Sequence, residues 1–160
     1  MAISGDQFKG AMSRWASGVA IVTTRAGEKP YGMTVSDFSG ASLSPPLVTV
    51  CAARESQTTR MIAEGRCFAI NILAEGQRAL SNRFASKQDA DRRFEGLVTS
   101  EAKTGAPLLP GCAANLDCSL VATYEAGDHV IYLGQVEDVR LADSEPLVYH
   151  RGRYGRFASD

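Results

Sequence analysis

The chain has 160 residues, 44% of them hydrophobic and 22% charged, with a formal net charge of −1. That suits one globular domain over residues 1–160 with a real core, and gives no electrostatic case for a nucleic-acid partner or an anionic membrane. No apolar run approaches the roughly 18 residues of a membrane span, and the first ten residues lack the basic and apolar regions of a signal peptide, so the cytoplasm is the expected location.

The first predicted element is a helix. Ser4 and Gln7 have capping-box spacing. Phe8, Ala11, Met12 and Trp15 follow at i, i+3, i+4 and i+7, one face of a helix that is expected to pack on the core, with Gly18 as its stop. Residues 19–24 and 31–36 read as strands of a hairpin around the turn at 27–30. The Ser-, Gly- and Pro-rich stretch FSGASLSPP reads as a loop, and Pro45–Pro46 ends it before a third strand at 47–51. A turn at 52–56 leads into a helix over 57–64 with Ser56 at its N-cap. Residues 67–73 read as a strand and 75–85 as a helix with Leu80 and Phe84 four apart. Residues 87–95 are densely charged and expected to be solvated.

Late in the chain, Ala114, Leu116, Cys118, Leu120, Ala122 and Tyr124 alternate with mostly polar neighbours, which predicts a half-buried antiparallel strand. Gly127–Asp128 makes a turn and 130–136 returns. Residues 147–150 form a last short strand before a basic tail. Many short strands with few helices predict a mainly β fold, a β-barrel with a few helices.

Several chemistries lack support. No G-x-G-x-x-G follows a strand, and there is no P-loop and no G-x-S-x-G elbow. The four cysteines, at 51, 67, 112 and 118, form no C-x-x-C pair and read as reduced, buried thiols. With His129 and His150 the only histidines, no metal site is expected. A reaction here needs little from side chains and points to cofactor chemistry.

Three places can hold such a cofactor. A strand enters the turn Ala52-Ala53-Arg54-Glu55-Ser56 and then a helix, whose free N–H groups can hold a phosphate beside Arg54 and the hydroxyls of Ser56, Thr58 and Thr59. Ordinary capping by Ser56 beside a solvated Arg54 fits the same residues. Thr34-Val35-Ser36-Asp37 offers small residues and hydroxyls where a strand gives way, either to a flat polar ring or as a polar turn. Gly127-Asp128-His129 is either a plain hairpin turn or a loop that presents His129.

Taken together, the stretches FKGAMSRWASGVAIVTT, YGMTVSDFSGASLSPPLVTVC, RESQTT, FAINIL, SNRFA, GAPLL and GDHVIYLGQV, followed by PLVYHRGRY, resemble the flavin reductase-like family with the FMN-binding split barrel. The likeness runs from about Phe8 to Tyr154. It implies an NAD(P)H:flavin oxidoreductase with FMN or FAD as cofactor and NADH or NADPH as co-substrate. By the same likeness, the chain is a homodimer that supplies reduced flavin to a flavin-dependent monooxygenase. Another electron acceptor, or a non-catalytic flavin-binding role, remains the alternative.

The resemblance also assigns residues. Thr34, Val35, Ser36 and Asp37 would line the flavin ring and ribityl chain, with Ser42 and Leu43 in the same wall; Asp37 departs from the small or amide residue common there. Cys51, Ala52, Ala53, Arg54, Ser56, Gln57 and Thr58 would hold the ribityl and phosphate groups, with Ser81 and Phe84 near the phosphate end. Gly127, Asp128 and His129 would meet the nicotinamide nucleotide, His129 in an orienting role, while Tyr149, Arg151 and Tyr154 cover it.

Overall fold

The computed structural model describes residues 2–88 and 90–160. Helix α1 (Gly5–Met12) precedes strands β1 (Ser17–Gly18), β2 (Ala20–Ala26), β3 (Lys29–Val35), β4 (Phe38–Leu43) and β5 (Pro46–Ala53). Helix α2 (Gln57–Gly65), β6 (Cys67–Ile72) and α3 (Arg78–Ala85) follow. Strands β7 (Ala114–Ala126), β8 (His129–Leu141), β9 (Leu147–His150) and β10 (Arg153–Arg156) complete the fold.

Seven strands form one sheet in the order β3-β2-β6-β7-β8-β5-β4, and every pairing in it is antiparallel. The two edges, β3 and β4, are consecutive in the chain and joined only by Ser36 and Asp37. Three Cα–Cα steps reach about 11 Å at most. The sheet must therefore curl until its edges meet, although no strand pairing links them among the described residues. Side chains from both ends share one core: Met33 and Val35 of β3 pack with Val48 and Val50 of β5, Phe68 and Ile70 of β6, and Phe38 of β4. This is the expected barrel with one split. Strand β2 is buried on both faces. Ala20 and Val22 point into the barrel, whereas Val19 and Ile21 pack outside it with Leu73, Phe84, Leu109 and Leu147. A strand covered on both sides reads as an unbroken apolar run, as 19–22 does. Helix α2 sends Ile62 into the barrel core, and Tyr132 donates its hydroxyl to the Thr59 carbonyl at 2.6 Å.

Several expectations are corrected. The capping box of α1 is present, but the helix ends at Met12 and buries none of its residues. Phe8 and Trp15 are 56% and 74% exposed, because no element of this chain lies over that face. Gly18 sits in β1 rather than stopping a helix. The expected loop at 38–46 contains β4, an exposed edge strand that carries no apolar alternation. The basic tail forms β10, which pairs with β9. The expected helix 75–85 begins with a 3-10 turn at Glu75–Gln77. In β7, Leu116, Cys118 and Leu120 face inward as expected, but Tyr124 is exposed and Asp117 is buried. Asp117 is satisfied by the Thr104 backbone N–H at 2.8 Å and by its hydroxyl. Cys67, Cys112 and Cys118 are buried free thiols and Cys51 is half-buried. No helix among the described residues is long and apolar enough to cross a membrane.

Gly134 of β8 is a packing requirement. A Cβ there would lie 2.7 Å from Cε1 of Phe68, which is fully buried, and closer still to its Cζ. Gly134→Ala is expected to destabilise the fold by about 1–3 kcal/mol through overpacking. Urea unfolding followed by far-UV circular dichroism measures it, and an unchanged midpoint contradicts the packing.

Candidate functional site

The β3–β4 seam is where backbone groups lack a strand partner, and the clefts of the molecule gather beside it. One cleft, of about 210 Å³, is lined by Val19, Thr34, Val35, Ser36, Ser81, Ala85, Tyr149 and Tyr154. A second, of about 430 Å³, shares Thr34 and Ala85 with it and runs to Ser56 and Gln57 at the start of α2, past Met33, Phe84, Lys87 and Arg93. Two more share Tyr149 with the first: one reaches Arg78, Asn82 and Arg153, the other Trp15, Asp37 and Arg151. The result is one branched groove with the seam at its centre.

Its walls are tied by hydroxyls. Thr34 Oγ1 donates to the Ser81 carbonyl at 2.6 Å, which fixes β3 to α3. The Tyr154 hydroxyl lies 2.8 Å from Ser81 Oγ and donates to Asn82 Oδ1 at 2.9 Å, which fixes β10 to α3. Tyr149 meets Tyr154 edge to face at 5.4 Å, and the Arg78 guanidinium sits 5.2 Å from the Tyr154 ring. At the other end Ser56 holds the N-cap position of α2, but its hydroxyl contacts Met33 Sδ at 3.1 Å and makes no capping bond. The first-turn N–H groups of α2 thus have no side-chain acceptor, and such groups bind anions.

Arg54 points elsewhere. Its backbone N–H donates to the Asp128 carbonyl at 3.0 Å and its Nη2 to the Gly127 carbonyl at 2.7 Å, while its guanidinium pairs with Glu125. It therefore clamps the turn after β5 to the β7–β8 hairpin, where Ala53 pairs with His129. Gly127 has a φ of 63°, which a two-residue hairpin loop needs at its first position. The His129 ring, 2.7 Å from Asp128 Oδ1, holds the Asp128 carboxyl below its usual range through that hydrogen bond. Burial, and after it the Asp37 and Asp128 carboxylates, pushes the Cys51 thiol up.

A comparison with known families decides the kinship. The flavin reductase like domain matches residues 12–158. The chain belongs to that family. Among its relatives, the 4-hydroxyphenylacetate 3-monooxygenase reductase component of Thermus thermophilus is 38% identical, covering 94% of this chain and 95% of its own. The FMN reductase (NADH) SmoA of Agrobacterium fabrum is 36% identical over 94% of this chain and 85% of its own. An NADH:FAD oxidoreductase of Streptomyces globisporus, solved in complex with NAD and FAD fragments, superposes with a TM-score of 0.90. It is 31% identical, over 100% of this chain and 98% of that one.

Against this family's expected site, the structure joins Thr34, Val35, Ser36, Ser81, Tyr149 and Tyr154 in one cleft. Ala53, Ser56, Gln57 and Phe84 line the next, and Asp37 and Arg151 a third. Thr58 is buried behind the α2 start, and Ala52 faces the barrel core. Gly127, Asp128 and His129 share the Arg54 clamp and line none of these clefts. Ser42 and Leu43 are not brought to the groove: both are exposed on the edge strand β4, Leu43 by 92%. The sequence reading missed Lys87 and Arg93, because it took 87–95 as solvated. Phe94 was the signal, since it packs edge to face on Phe84 at 5.1 Å and pulls its neighbour Arg93 inward.

The Tyr154 hydroxyl can be separated from its ring. Tyr154→Phe removes two hydrogen bonds at the groove wall, each worth about 0.5–1.5 kcal/mol. The melting temperature is expected to fall by roughly 2–6 °C for a chain of this size, read by differential scanning calorimetry; no fall would mean the hydroxyl holds nothing.

Proposed function

We propose that this chain is an NAD(P)H:flavin oxidoreductase that binds FMN or FAD in the groove at the β3–β4 seam. The continuity of that groove carries the reading: a small-residue, hydroxyl-lined cleft at 34–36 opens directly onto an uncapped helix start. The two clefts, about 210 and 430 Å³, are of the size that takes a drug-sized ligand. The residues present suit a flavin nucleotide, with a flat ring against the seam and a phosphate at α2. When bound, the flavin supplies the ring that accepts hydride from the nicotinamide of NADH or NADPH.

The chain's own residues bind and orient. Thr34, Val35, Ser36 and Asp37 face the ring, Ser56 and Gln57 the phosphate end, and Ser81 and Phe84 the wall between. Ser42 and Leu43 could join such a wall only after β4 meets another surface. Tyr149, Arg151 and Tyr154 on the β9–β10 hairpin, with Gly127, Asp128 and His129, serve the nicotinamide nucleotide. Holding two rings in contact supplies most of the acceleration, with no side-chain acid or base essential to the transfer. Relatives named as monooxygenase reductase components support a monooxygenase as the recipient of the reduced flavin. Four unpaired thiols accord with a cytoplasmic setting.

Anaerobic stopped-flow mixing with NADH tests the activity: the flavin absorbance is expected to bleach, and a protein that binds flavin but never bleaches it refutes the enzyme. His129→Ala is expected to raise the NADH concentration for half-maximal rate roughly 2- to 13-fold, the loss of one hydrogen bond, with flavin affinity unchanged. Unchanged NADH kinetics would confine His129 to its turn.

Two copies are proposed to associate through α1. Ile3, Phe8, Met12 and Trp15 form an exposed apolar face of the kind that marks an interface. Sedimentation at micromolar concentration is expected to give about twice the 17.1 kDa chain mass, and Phe8→Glu to shift it toward the monomer. A wild-type monomer sinks the idea.

A further inference from the structure

Arg93 is a charge without a counter-charge. It is half-buried after α3, where Nη1 donates to the Gly32 carbonyl at 2.6 Å and Nη2 to the Ser86 carbonyl at 2.7 Å. Its Nε is buried with no acceptor. Arg25, Arg54, Arg92 and Arg156 each reach a carboxylate, but among the described residues none pairs with Arg93 or with the exposed Lys87. Packing fixes the position. Gly32 has no side chain, and a Cβ there would come within 2.8 Å of Phe84 and 3.2 Å of Phe94. The strand can therefore lie flat on that ring pair, with its carbonyl in reach of the guanidinium.

Both cations line the cleft that holds the start of α2. The acid in that lining is Glu55, so the wall carries a net positive charge. Burial lowers the pKa of the Arg93 guanidinium, and an anion in the cleft would relieve the cost that this reflects. The uncapped N–H groups of α2 act with the same sign. Arg54, which the sequence places at this phosphate, is occupied by Glu125 and the hairpin carbonyl.

We propose that Arg93, assisted by Lys87, is the counter-charge for the phosphate of the bound flavin, and makes this groove select phosphorylated flavins over riboflavin. The proposal rests on the flavin-binding reading above. Arg93 also bridges β3 to the end of α3, so charge selection and the shape of the groove depend on one side chain.

Flavin fluorescence titration with FMN and with riboflavin separates the two roles. The wild-type protein is expected to bind FMN more tightly, and Arg93→Gln to weaken FMN about 10- to 150-fold while riboflavin moves by less than roughly fivefold. Arg93→Lys, which keeps the charge, is expected to recover part of the preference. Lys87→Gln removes an exposed side chain that carries no packing. It is expected to weaken FMN roughly 2- to 5-fold, to flatten the salt dependence and to leave riboflavin alone; it decides the matter if Arg93→Gln does not fold. Equal wild-type affinity for FMN and riboflavin overturns the proposal and leaves flavin binding intact, as does a parallel loss of both ligands in Arg93→Gln with an unchanged ratio in Lys87→Gln. Wild-type protein that binds neither flavin overturns the flavin reading itself.

Discussion

Everything in this fold depends on how short the link between β3 and β4 is. Ser36 and Asp37 join the two outermost strands of a seven-stranded sheet, so the sheet has to curl. Curling creates the interior that Phe68, Ile70, Val22 and Tyr132 fill. It also leaves one line along the barrel where strand edges meet without pairing, and buried backbone groups without partners are costly. The seam is consequently a place where a ligand with its own donors and acceptors is energetically welcome. The groove opens there, and the loop that closes the barrel is the same loop that forms its floor.

The elements readable in advance were those whose signal is local. The capping box of α1, the apolar run at 19–22, the inward Leu116, Cys118 and Leu120, and the Gly127–Asp128 turn each depend on residues a few positions apart. The unreadable ones depend on partners distant in the chain. Strand β4 is exposed and rich in Ser and Gly, and only its pairing with β5 makes it a strand. The burial of Asp117 becomes acceptable only when Thr104 arrives to bond it. The face of α1 reads as core because its pattern says nothing about which chain is to cover it.

The candidate site divides in the same way. Thr34 to Ser36 and the start of α2 were legible because strand ends and helix starts place backbone groups predictably. Arg54 was legible as a charge but not in its direction, since Glu125 lies seventy-one positions on and becomes a neighbour only through the β7–β8 hairpin. The clamp it forms has a physical sense. It holds the turn after β5 against the Gly127–His129 loop, so two regions assigned to different ligands move as one unit. Rigid spacing between two binding regions is what positional catalysis asks of a protein.

The thiols gain meaning from the chemistry around them. Burial raises the Cys112 and Cys118 pKa values to about 11 and about 12, so at neutral pH essentially no thiolate exists at either. Oxidation of cysteine begins from the thiolate, and access governs the rest. Free reduced flavin reacts with oxygen to give peroxide, so a protein that releases it makes an oxidant at its own surface. Keeping its sulfur protonated and out of reach lets this barrel tolerate its own by-product without any dedicated defence.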